Sequence, residues 1–259
     1  MIKSDRIENR KDNLLCTTFT RPLSTNEPKI LIIAPHSMCD DTNKQRHCDR
    51  RALKEANKLY IISVNAGYNT CLIVSDKLRA EFDYNRKESF TQDWRKEIRS
   101  YIENNKDHTI IIFEIHSFPP VGTEFDKGSQ IAVLAIDEYY DGAKFLLDYI
   151  KNNTDIIIHP TINDTRVNNL MVDTTAYPNI KQHYLLEFNE DAIILSSDKS
   201  YQTLFKIFIV SLFPKISRKK IFSFIIVLIS LLIILVLMQM DSDYYAFQTC
   251  RNGRTLGVA

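Results

Sequence analysis

Imidazole and carboxylate groups gather in two short segments of this sequence. Residues 32–52, IIAPHSMCDDTNKQRHCDRRA, and residues 110–118, IIIFEIHSF, each join an apolar run to histidine and acidic side chains. His36 and His116 fall at the ends of such runs, and Asp49 stands where a following helix should begin. Two nitrogens and one carboxylate oxygen suit a zinc ion that keeps an open coordination position. Zinc held this way acidifies water to a pKa of about 7 and polarises a carbonyl, the two tasks that amide hydrolysis requires. Asp40 and Asp41 also lie near His36, so spacing leaves open which of the three aspartates is the third ligand.

Amide hydrolysis also needs a group that moves a proton. Glu187, in YLLEF, is the candidate general base, because a carboxylate inside an apolar strand is costly unless it is paired or employed. Glu114 suits a place behind an imidazole, fixing its orientation. Arg79, Asp83, Asn85 and Arg86 form a compact polar group in which a guanidinium could clamp a substrate carboxylate or a developing oxyanion. His159 and His183 read as ordinary hydrogen-bonded histidines. A second metal reading takes His36, Cys39, His47 and Cys48 as a closed zinc site, although adjacent His47 and Cys48 converge poorly. A cysteine hydrolase using Cys39 or Cys48 ranks below both, since no nucleophile elbow frames either thiol.

These residues need a scaffold, and the pattern supplies one. Short β-branched runs at 29–34, 70–74, 109–115, 131–136, 155–158 and 184–188 read as strands. Helical periodicity covers 49–59, 91–104 and 138–151 between them. The alternation predicts an α/β fold with a mixed, mostly parallel sheet flanked by helices, and functional residues at strand ends. With six glycines and neither GxGxxG nor GxxxxGKS, dinucleotide and P-loop phosphate sites are excluded.

Composition divides the chain. Of 259 residues, 44% are hydrophobic and 25% charged, which excludes a disordered chain. The net +1 includes Lys215, Arg218, Lys219 and Lys220; without these four, and with Asp241 and Asp243 cancelling Arg251 and Arg254, residues 1–214 carry about −3. That is no nucleic-acid interface. Residues 221–240, IFSFIIVLISLLIILVLMQM, lack any ionisable group and as a helix would span about 30 Å, the thickness of a bilayer core. Their basic N-terminal flank predicts a single-pass anchor in a lipid bilayer with the preceding domain in the cytosol. In that reducing compartment Cys16, Cys39, Cys48, Cys71 and Cys250, odd in number and irregular in spacing, are expected as free thiols. FKIFIVSLF, residues 205–213, suits a last core or interfacial helix ended by Pro214.

Taken in order, the motifs resemble those of the N-formylglutamate amidohydrolases, related in fold to the zinc carboxypeptidases. The likeness lies in PHS at 35–37, the acidic Asp49, Arg79 with Asp83-Tyr84-Asn85-Arg86, Glu114-Ile115-His116-Ser117-Phe118, and Glu187 in LLEFN. It implies that His36, Asp49 and His116 hold one zinc, that Glu187 is the base, and that Arg79 and Arg86 bind substrate or stabilise the oxyanion. The implied substrate is a small N-acyl amino acid or peptide-like amide carrying a carboxylate. MCDD replaces the glycine-rich context after the first histidine, and a tether is unusual for these enzymes. An inactive, membrane-anchored structural or interaction protein on the same fold is therefore the alternative. The expected organisation is an N-terminal extension at 1–28, an amidohydrolase-like domain at 29–214, a basic juxtamembrane segment at 215–220, a transmembrane helix at 221–240 and a tail at 241–259.

Overall fold

The computed structural model of the chain describes residues 6–11, 13–19, 27–39, 48–79, 81–119, 128–159 and 169–191. Contacts divide the chain between Leu212 and Phe213, and every described residue precedes that division. The expected anchor at 221–240, its basic flank, the tail, the 205–213 segment, Asp40, Asp41, His47 and Cys250 lie outside the described residues.

In chain order the elements are β1 (Arg6–Lys11), β2 (Leu14–Phe19), β3 (Lys29–Ala34), α1 (Ala52–Asn65), β4 (Thr70–Val74), α2 (Asp93–Asn104), β5 (Ile110–Phe118), β6 (Ile131–Leu134), α3 (Tyr140–Asn153), α4 (Asn169–Thr174) and β7 (Ile180–Asn189). They build one seven-stranded sheet in the order β1-β2-β4-β3-β5-β7-β6. The four central strands are parallel, while β1, β2 and β6 pair antiparallel at the two sides. This is the mixed, helix-flanked α/β architecture expected from the sequence.

Burial on both faces explains the composition of the centre. Ile30 to Ala34 have no exposed surface, and all nine residues of β5 are buried; parallel strands covered by crossover helices must be apolar throughout. Helix α1 packs on β3, β4 and β5 through Ala52, Ala56, Leu59 and Tyr60. It ends where Gly67 takes φ +90°. Gly67 N–H then donates to Val64 O and Tyr68 N–H to Ser63 O, a left-handed closure that releases the chain into β4.

From β3 the chain crosses to β4 on one side and then to β5 on the other. The strand order therefore reverses at the β3/β5 pair, which opens a crevice beyond their carboxyl ends.

Four features depart from the sequence reading. Residues 6–19, within the expected extension, form a hairpin whose second strand extends the sheet along β4. The expected strand at 155–158 shrinks to a single bridge between Ile131 and Ile158, with Ile157 turned outward. The six-residue helix α4 had no sequence signal. The four described cysteines are not free: Cys16 pairs with Cys71 and Cys39 with Cys48. Cys16 and Cys71 are direct partners on antiparallel β2 and β4, so their side chains share one face of the sheet.

Candidate metal centre

The crevice contains three side chains from three segments. The turn after β3 carries His36, fixed by Ser37, whose hydroxyl donates to Ala34 O and accepts Ser75 N–H. Asp49 precedes α1 and donates its backbone N–H to His36 O at 3.0 Å, tying the two segments together. His116 belongs to the buried carboxyl half of β5.

All three are buried, and their ligand atoms lie within 4.8 Å of one another. Asp49 Oδ2 is 2.7 Å from His116 Nδ1 and 3.4 Å from His36 Nδ1. The two rings meet edge to face, with centroids 4.9 Å apart. His36 Nδ1 is buried without a hydrogen-bond partner. A buried ring nitrogen facing a carboxylate in a polar crevice, with no hydrogen bond of its own, is available as a ligand atom. The donor set and this orphaned nitrogen fit a zinc ion.

The opposite nitrogens are equally committed. His36 Nε2 lies 2.9 Å from Asp83 Oδ1, and His116 Nε2 lies 2.8 Å from Glu114 Oε1. A carboxylate beside Nε2 favours the tautomer that carries its proton there, which would free Nδ1 as a ligand atom, the arrangement that metal-binding histidines commonly show. Glu114 therefore stands where the sequence placed it. Asp83, grouped with the substrate-binding residues from sequence, contacts His36 instead, and its Oδ1 also accepts the Asn85 N–H. The Asn85 amide reaches within 3.2 Å of His116 Nε2. Arg79 lies 3.5 Å from Asp49 Oδ1 and 3.6 Å from Asp83 Oδ2, while the more exposed Arg86 is 3.4 Å from Asp83 Oδ2.

A cavity of about 280 Å³ opens over the cluster, lined by His36, Asp49, Arg79, Asn85, His116 and Glu187 among others. Glu187 enters because β7 sets it opposite His116 in parallel register. Burial in the cleft pushes its carboxyl up to about 7, with His116 pulling down and Asp49 pushing further up. Burial alone would also raise Asp49, but the adjacent His116 and His36 rings more than reverse this and hold it below the usual carboxylate range. Glu114 is likewise held low by His116 and His183 against its burial.

The cysteine-based alternatives fail. The Cys39–Cys48 bond consumes both sulfurs, so neither a thiolate metal site nor a thiolate nucleophile is present there. Three residues to which the sequence assigned no site role also belong to this region. Glu190 Oε1 accepts from Arg50 N–H and the Ser117 hydroxyl, and Ser117 Oγ accepts Arg51 N–H, so both pin the start of α1 to the end of β5. The third, His183, contacts Glu114 at 3.0 Å. Its signal was available: it lies four residues before Glu187 on one strand and therefore on the same face.

No family model and no curated protein matches the sequence. Among solved structures the fold is shared with gene product Atu2144 from Agrobacterium tumefaciens, at TM-score 0.55 and 13% identity over 72% of this chain and 91% of that one. Lower similarity relates it to an N-formylglutamate amidohydrolase from Ralstonia eutropha JMP134, at TM-score 0.45 and 8% identity over 72% and 92% of the two chains. Succinylglutamate desuccinalase from Vibrio parahaemolyticus has TM-score 0.46 and 12% identity over 83% and 79%. Fold and site together define an α/β protein with a buried His36–Asp49–His116 cluster capable of coordinating a metal ion.

Proposed function

We propose that this chain is a membrane-tethered, zinc-dependent hydrolase of the N-formylglutamate amidohydrolase kind. Its substrate is a carboxylate-bearing N-acyl amino acid or peptide-like amide. The observation that carries the reading is the convergence of two Nδ1 atoms on one Asp49 oxygen, each ring backed by its own carboxylate, beneath a cavity that Glu187 also lines.

His36, Asp49 and His116 would hold the ion. Bound zinc supplies Lewis acidity, acidifying water and polarising a carbonyl. Asp83 and Glu114 keep the rings in the ligand tautomer. Glu187 takes a proton from the attacking water and returns it to the leaving amine. Arg79 and Arg86, with Asn85 beside them, place positive charge and an amide donor where a substrate carboxylate or oxyanion would sit. The tether is proposed from residues 215–240 of the sequence.

The test is metal content and turnover of the full-length chain in detergent. Wild type is expected to hold one equivalent of zinc, and H36A and H116A to lose it. E187Q should keep zinc while hydrolysis across a panel of N-acyl amino acids falls about 10²–10⁴-fold. A wild-type chain that stays zinc-free when supplied with the metal overturns the proposal. Zinc without turnover of any panel member would instead support an inactive copy of the fold serving interaction.

A further inference from the structure

His183 sits in the middle of β7 with no exposed surface. An imidazole buried in a strand is costly unless both nitrogens are satisfied. Each has a polar partner: Nε2 lies 3.0 Å from Glu114 Oε2, and Nδ1 lies 3.0 Å from Thr174 Oγ1. The Thr174 hydroxyl is in turn fixed by Met171 O at 2.7 Å and the Tyr139 hydroxyl at 3.2 Å.

The strand register explains why this chain of contacts reaches the metal cluster. Paired residues of parallel strands share a face. Ile112, Glu114 and His116 of β5 stand beside His183, Leu185 and Glu187 of β7. Glu114 thus has His116 on one oxygen and His183 on the other, and no part of the array is exposed beyond a few per cent.

We infer that His183 is a positioning residue of the metal centre, acting on His116 through Glu114. This rests on the metal-centre reading above. The Glu114 carboxylate accepts the His116 Nε2 proton only while its plane is held, and its second oxygen is the point at which it is held. Loss of the His183 contact loosens the carboxylate about its terminal bond, and the His116 ring is then aimed at Asp49 less firmly. Helix α4 and the turn before α3 therefore bear on the metal through Thr174 and Tyr139 without touching it.

Two near-isosteric variants separate this role from simple core packing. Gln places an N–H donor near the Nε2 position, and Asn places its amide near Nδ1, so H183Q keeps the Glu114 contact and H183N keeps the Thr174 contact alone. The full-length chain is titrated with zinc, and its Co²⁺ form is examined by visible absorption, with the melting temperature of the metal-free protein recorded beside them. H183Q is expected to bind zinc within about threefold of wild type with an unchanged Co²⁺ spectrum. H183N is expected to bind about tenfold more weakly, with an altered spectrum, the low end of what contacts behind metal ligands contribute. Equal zinc affinity and equal spectra for the two variants overturn the inference while leaving the metal centre intact. Wild type that binds neither metal overturns the centre and the inference together.

Discussion

Asp83 and Glu114 act on the two histidines in the same way from different parts of the chain. Each accepts an Nε2 proton, and each keeps the charge on its partner's far side. D83N should therefore weaken zinc binding about 10–100-fold while leaving the fold intact, which a zinc titration and a melting curve would check together. Unaltered affinity would return Asp83 to a role in binding substrate alone. His36 and His116 drew attention because they stand at or near the ends of apolar runs, whereas Asp49 stayed one of three candidate aspartates, since spacing does not show which of them turns towards the histidines. Asp83 was legible as a polar residue but not in its target, since the loop that carries it folds back by a distance no local pattern encodes. Glu190 was hidden for a related reason, and His183, read as an ordinary hydrogen-bonded histidine, showed its face by spacing but not its partner, which only strand register reveals.

Elements show the same division. Strands β3 and β4 match their sequence boundaries, because their apolar runs are short and sharply bounded. RIENRK gave no signal for β1, since an edge strand owes its form to hydrogen bonding with β2 more than to burial. Packing at α3 makes a checkable case. A Cβ on Gly142 would come within 2.1 Å of Gln182 Oε1, whose amide donates to Tyr139 O. G142A gains about 1 kcal/mol of helix propensity but should lose about 1–3 kcal/mol to overpacking. Adding Q182A should recover much of that loss, a non-additivity that urea unfolding would show.

Before α2, Tyr84 stacks on Trp94 and donates its hydroxyl proton to Asp76. Burial first, and the Asp76 carboxylate next, raise its phenol above the usual value near 10. The folded chain then holds that proton more tightly than the unfolded chain. Stability is accordingly retained below pH 10 and declines as pH rises beyond it. Y84F should flatten this alkaline decline in a series of melting temperatures; an identical slope would assign it to other groups.

At the scale of the molecule, the Cys16–Cys71 bond joins positions 55 residues apart and fastens the β1–β2 hairpin to the sheet. C16A/C71A should lose about 2–4 kcal/mol of stability, read as a lower urea midpoint, with a somewhat steeper slope because the unfolded chain is no longer cross-linked. A midpoint equal to that of wild type would mean that the pair contributes nothing as a bond. The tether proposed from sequence carries its own prediction. With sealed vesicles whose cytosolic face is outward, added protease should remove the N-terminal domain. Full protection would reverse the orientation and set the oxidised cysteines in the kind of compartment where disulfides persist.

The Cys39–Cys48 bond closes a ring whose ends lie beside two members of the metal cluster, three residues after His36 and one before Asp49. In thermodynamic terms, an ion held by the proposed centre would be linked to the oxidation state of this bond through one ring. Whatever free energy the closed ring lends to holding the ion, the bound ion must return as resistance of the bond to reduction, because coupling between two equilibria is reciprocal. A thiol reductant and a chelator would then each make the other more effective, and the size of that mutual effect measures how much of the metal centre's order is covalent.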